Sequence, residues 1–207
     1  MRYQKICSMG VRRPQYSYRV DTQPDDRRGV WYSFYKPNGY TQSKLVTEKL
    51  KGAEKIIVWD PSFNEKDKGF YNYITSSKIT LEILTICDKN QTEKQVSDYF
   101  ALIRDLLVDK NIDIDFTLRA FFFNEFKNRD SLELWHDRYL IIQRNETIDV
   151  YLVGTSVASH VDGHKAFGIC ELKEDKDKDI VITAYNEYCK LIDKKNGITL
   201  HDKDPKD

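Results

Sequence analysis

The sequence predicts an α/β fold, a mixed β-sheet flanked by helices on both faces, and three observations predict it. Strand-length apolar runs, "EKIIVWD", "KITLEILTIC" and "IDIDFTLRAF", are interleaved with segments of helical character. The clearest helix, "QTEKQVSDYFALIRDLLVDKN", repeats Val96, Phe100, Ile103, Leu106 and Leu107 at helical spacing behind Thr92, a good capping residue. A second set of strands, "LWHDRYLII", "IDVYLVGTS" and "AFGICEL", precedes a last helix, "IVITAYNEYCKLIDKK". Strand, helix, strand, helix, then strands and a closing helix is the order of a mixed sheet covered on both sides.

The elements divide the chain into three parts. Residues 1–45 are a basic, aromatic-rich N-terminal extension with little helical periodicity; up to Lys44 they hold nine Lys or Arg against three Asp. Cations interleaved with rings suit a nucleic-acid surface, where charge meets phosphate and rings stack on bases. The other reading of that stretch is a set of short strands, or an arm, packed on the domain. Residues 46–197 form the domain itself. It opens with a short helix in "TEKLKGAEK", a buried strand from about Lys55 to Asp60 and a stop at Pro61, followed by a weakly helical "KDKGFYNYITSS". The run "KEDKDKD" reads as a solvated loop before the closing helix. Residues 198–207, ending in "HDKDPKD", read as a disordered tail.

Composition narrows the function classes. The 33 basic and 33 acidic residues cancel, so overall charge names no polyanion partner. No apolar window is long enough for a membrane-spanning helix, and the N-terminus lacks the apolar core of a secretory signal. Cys7, Cys87, Cys170 and Cys189 show no C-x-x-C spacing; Cys87 and Cys170 fall in predicted strands, as small core hydrophobes do. Reduced thiols and a cytoplasmic location follow. His160 and His164 stand four apart, but "SHVDGHK" contains Gly163 and reads as a turn without a third ligand, so no metal and no cofactor is assigned. The run "FFFNEF", Phe121 to Phe126, is expected as a core strand end or a dimer contact.

The chemistry concentrates in "LELWHDRYLIIQ", where His136, Asp137 and Arg138 interrupt a strand. Strand side chains alternate, so His136 and Arg138 share a face and Asp137 takes the other, where it holds a loop or pairs with an Arg. A neutral His can attack phosphorus. A guanidinium two residues on can stabilise phosphoryl oxygens through two parallel contacts. The plainer reading of His136 is a hydrogen-bonded surface residue at a strand end.

With the following Gly154-Thr155-Ser156, with Asp60-Pro61 ending "IIVWDPSF" and with the "GHKAFGI" turn, these residues resemble one half of the phospholipase D-like superfamily, over roughly residues 47 to 195. Members carry His-x-Lys, four residues, then Asp; here Arg138 replaces Lys and Gln143 stands at the Asp position. The element order is also similar to the phospholipase D-like C-terminal domain of MIT-domain proteins. The resemblance implies a metal-independent phosphodiesterase, nuclease-like, with His136, Arg138 and Ser156 catalytic and Thr155, Gly154, Asp60 and Lys165 at the substrate. One motif per chain implies a homodimer, because transfer needs two histidines on opposite sides of phosphorus. Asp60, Asp149 or Asp162 could substitute in space for the missing Asp; with the catalytic set eroded at Gln143, the alternative is an inactive module that binds nucleic acid, a lipid headgroup or a protein partner. By resemblance alone, such a module belongs to a larger assembly such as a bacterial defence system.

Overall fold

The strands are β1 (Tyr18–Val20), β2 (Val30–Phe34), β3 (Lys55–Trp59), β4 (Lys78–Cys87), β5 (Asp113–Phe122), β6 (Arg138–Arg144), β7 (Thr147–Val153), β8 (Phe167–Leu172) and β9 (Gly197–His201). The helices are α1 (Glu93–Val108) and α2 (Asp175–Leu191), with a 3-10 segment at Glu65–Tyr73 and a helical turn at residues 46–50. The computed structural model describes residues 18–20, 30–34, 46–61, 65–87, 91–122, 137–154, 167–193 and 197–202. The strands make one mixed sheet in the order β1-β2-β8-β7-β6-β3-β4-β5-β9. β3, β4 and β5 run parallel, and every other neighbouring pair is antiparallel.

The sequence "KIIVW" of β3 is apolar on both faces, which only a strand covered on both sides can bury. Alternation sends Ile56 and Val58 to one cluster and Ile57 and Trp59 to the other. The first cluster is closed by Leu50 of the helical turn, Phe70 and Tyr71 of the 3-10 segment, and Val96, Phe100, Ile103 and Leu107 of α1. The second is closed by Val181, Tyr185 and Tyr188 of α2. Helices thus lie on both faces, as predicted. Thr92 caps α1 through a reciprocal capping box with Gln95. Leu106 is only half-buried, at the margin of the α1 stripe. Cys87 and Cys170 are buried free thiols, and burial pushes the Cys87 thiol up to about 11. Phe121 is fully buried, the core strand end that its run predicts. No described helix is long and apolar enough to cross a membrane.

Two boundaries differ from expectation. The charged run "KEDKDKD" begins α2 instead of forming a loop: Glu174 is the N-cap, and Asp175 and Asp177 put negative charge in the first turn, where the helix dipole favours it. Residues 197–201, mostly inside the expected tail, form β9 on β5, and the backbone N–H of Asp202 donates to the Phe116 carbonyl at 3.0 Å. Only 203–207 of that tail lie outside the described residues. Within the N-terminal extension, the described residues 18–20 and 30–34 are short strands, and β2 pairs with β8; the rest of that stretch lies outside the described residues.

The α2 face carries a charged cluster among its apolar side chains. Glu82 of β4 accepts from Arg119 of β5 at 3.0 Å, from the Tyr185 hydroxyl and from Lys55. Burial alone would raise the Glu82 carboxyl. Hydrogen bonds from Lys55 and Tyr185 and the charges of Lys55 and Arg119 outweigh it and hold the carboxyl below its ordinary value.

Two predictions follow from this packing. A depressed folded-state pKa stabilises above the ordinary value, 4.5, and that contribution disappears as pH falls through the folded value. The stability gap between wild type and Glu82→Gln in urea is therefore expected to be constant at neutral pH and to close in acid. A Cβ at Gly197 would press on the Ala120 carbonyl oxygen and stand 2.9 Å from Ile192 Cγ2. Gly197→Ala is expected to cost about 1–3 kcal/mol, with amide exchange rising first in β9.

Candidate functional site

The site starts from the last residues of β3, "VWDP". Trp59 turns toward α2, where its ring meets Tyr139 at 5.1 Å and Tyr188 edge-on at 5.4 Å between centroids. That packing fixes the end of β3, and alternation then carries Asp60 to the opposite face. The Asp60 backbone N–H donates to the Leu84 carbonyl at 3.0 Å, extending the pairing with β4 by one residue. Pro61 has no N–H to continue the ladder.

On the other neighbour of β3, Trp59 stands opposite Tyr139, which sets Arg138 beside Asp60. Arg138 Nε donates to Asp60 Oδ1 at 3.1 Å across 78 residues of chain. Asp60 is 0% exposed, whereas Arg138 keeps 25% of its side chain exposed. A charge taken out of water this far is held by a hydrogen-bonded partner of opposite sign. On β7, Val153 pairs with Arg138, so exposed Gly154 follows at the same edge. Asp60, Arg138 and Gly154 therefore end three adjacent strands at one edge of the sheet, Asp60 and Arg138 in contact and Gly154 one strand further on, opposite Asp137, beyond the carboxyl end of β3. Sheets of this kind receive ligands at such ends.

Asp137 is exposed, and its carboxylate accepts from the Tyr139 hydroxyl at 3.5 Å; among the described residues no Arg pairs with it. Burial, then the charge and hydrogen bond of Asp137, push the Tyr139 phenol up to about 12. Asp149 does not reach this edge. It pairs with Arg144, whose guanidinium also binds the Lys49 and Lys51 carbonyls at the far end of β6. Gln143 is at that far end too, opposite Lys55 and five residues from Arg138, roughly 17 Å along a strand. An Asp at position 143 could not touch a group beside Arg138, so Gln143 removes nothing from the edge itself. Asp60 has no exposed surface to offer a substrate; it touches Arg138 instead.

His136, Thr155, Ser156, Asp162, Lys165, His160 and His164 lie outside the described residues, as does Phe123 to Phe126. Among the described residues no group of three or more His, Cys, Asp or Glu is placed to hold a metal. Sequence reasoning missed how Asp60 is used. The signal was available: in "IIVWDP" the Asp continues the alternation of a wholly apolar strand, so it must be buried and matched by a cation.

The pair should behave as a unit. Arg138→Ala, which takes the guanidinium from a buried carboxylate, is expected to cost about 3 kcal/mol, and Asp60→Ala a comparable amount. In urea unfolding, the double variant should fall short of the sum by about 2 kcal/mol. Additive losses would mean that the two groups are not coupled.

No family model and no curated protein matches the chain. Among solved structures, the chain is similar to TrmBL2, an archaeal chromatin protein with a novel mode of DNA binding, at 14% sequence identity and a TM-score of 0.41. The match covers 81% of this chain and spans about half, 53%, of that one.

Proposed function

We propose that the chain is a metal-independent phosphodiesterase of phospholipase D-like type, nuclease-like, acting through a site shared by two copies. The observation that carries this reading is the Asp60–Arg138 pair beside Gly154, which joins three separate parts of the motif at one strand edge. Asp60 acts as a positioning group: it takes the Nε side of Arg138 and fixes the plane of the guanidinium toward the edge. Arg138 then meets the phosphoryl oxygens, and Ser156, Thr155 and Lys165 add donors from the segment that follows Gly154.

The chemistry needs two histidines. His136 attacks phosphorus as the neutral imidazole, forming an N–P bond while the bond to the leaving oxygen breaks. His136 of the partner subunit gives that oxygen its proton, then takes one from the water that cleaves the N–P bond. The excess of Lys and Arg over Asp in the first 44 residues supports nucleic acid as the substrate class.

A second reading draws on the same pair. Because Asp60 offsets part of the charge of Arg138, the described edge stabilises the added charge of a phosphoryl transition state less, which favours holding a phosphate over turning it over. The two readings separate in one assay. Wild-type protein is expected to cleave single- or double-stranded DNA or RNA in EDTA, with His136→Ala losing at least about a hundredfold in rate. Arg138→Lys should retain part of the rate that Arg138→Ala loses. Salt-sensitive binding without any cleavage would instead establish the binding module.

A further inference from the structure

A cavity of about 140 Å³ opens between the sheet and α2, at the strand ends away from Arg138. Neighbouring residues Ile57 of β3 and Ile141 of β6 form its floor, and Ile182 of α2 its roof. Gln143 and Asn186 also line it, from the sheet and from the helix. So does Ile148, which pairs with Gln143 and keeps 37% of its surface exposed at the rim.

Three features define what would fit. First, size and wall chemistry: a cavity of about 150 Å³ walled by Leu, Ile and Phe takes one benzene ring. Second, the amides: the Gln143 side chain donates to the Asn145 carbonyl at 3.5 Å and keeps its oxygen for a ligand, and that of Asn186, exposed at the mouth, makes no hydrogen bond among the described residues. Each amide offers a donor and an acceptor. Third, charge: Lys55, the one charged lining side chain, is ion-paired with Glu82, and the Tyr185 hydroxyl donates to the same carboxylate. A neutral ligand is therefore favoured over an anion. Aliphatic walls favour a flat ring over a polyol, whose hydroxyls they could not bond.

We propose that this cavity binds the ring of a pyrimidine base, with isoleucines on its faces and the amides of Gln143 and Asn186 on its polar edge. The site is separate from the Arg138 edge and stands whether or not that edge cleaves phosphodiesters. It also gives Gln143 a use at the position where the phospholipase D-like pattern has Asp.

Calorimetric titration of the full chain with uracil, uridine, uridine monophosphate and benzene tests it. Saturable one-to-one binding of uracil and uridine is expected, with Gln143→Leu or Asn186→Leu weakening it tenfold or more. Ile182→Phe, which fills the cavity, should abolish binding while the thermal unfolding midpoint stays close to wild type. Affinity for the monophosphate no greater than for uracil would support a site for the neutral base; a tenfold preference for the monophosphate would overturn it. The proposal is overturned if none of the pyrimidines saturates below about 5 mM, or if benzene binds as tightly as uracil. Unchanged affinity in both amide variants would overturn it equally.

Discussion

A carboxylate with no access to water follows β3, an inner strand of the sheet, and the arrangement of the neighbouring strands answers to it. Asp60 follows four consecutive buried residues and cannot turn to solvent without withdrawing Trp59 from its aromatic neighbours. The buried charge requires a cation, and the register of β6 supplies Arg138. A slip of one residue in that pairing would place Asp137 or Tyr139 beside Asp60 and reverse every side chain of β6 between its two clusters. The ion pair and the apolar alternation thus specify the same register, and agreement between levels of this kind gives a single folded state.

The two faces of the sheet solve different problems. The face toward α1 is apolar throughout its centre, from Ile56 to Phe116 and Leu118. The face toward α2 interposes Glu82, Lys55, Arg119 and Tyr185 among Ile57, Leu84 and Phe121. Charges there align α2 over the strands more selectively than apolar contact alone, because Tyr185 must stand over Glu82 to donate to it.

Much of this was legible in the sequence, for reasons that differ by element. β4 and β5 coincide with their apolar runs because each holds a long alternating pattern. α1 was legible from Thr92 onward because cap and periodicity agree. The start of α2 was hidden: "KEDKDKD" has no apolar period, and only the favour that a helix N-terminus shows to Asp explains it. β9 was hidden for the opposite reason, since "GITLH" is too short and too close to a charged end to stand out without β5 beside it. At the candidate site, the sequence named Asp60, Arg138 and Gly154 together, but gave Asp60 a place at the ligand. Its burial was legible from the apolar run before it, but its partner could be named only once the register of β6 was known.

The order of strands has a consequence for how the chain reaches this state. β2 finds its partner in β8, Val30 standing opposite Glu171, so the N-terminal hairpin joins the sheet through contacts among the most distant in sequence. β9 likewise is laid on β5 only after α2 has been passed. Loop closure must be met before such pairings return anything. Residues 55–87 and 93–122, with their near-neighbour parallel pairing and the helix between them, can instead assemble early. The strands at the margins, β1, β2 and β9, are the ones whose loss leaves β3 and β6 paired on both sides, and the Asp60–Arg138 edge is seated on that inner pair.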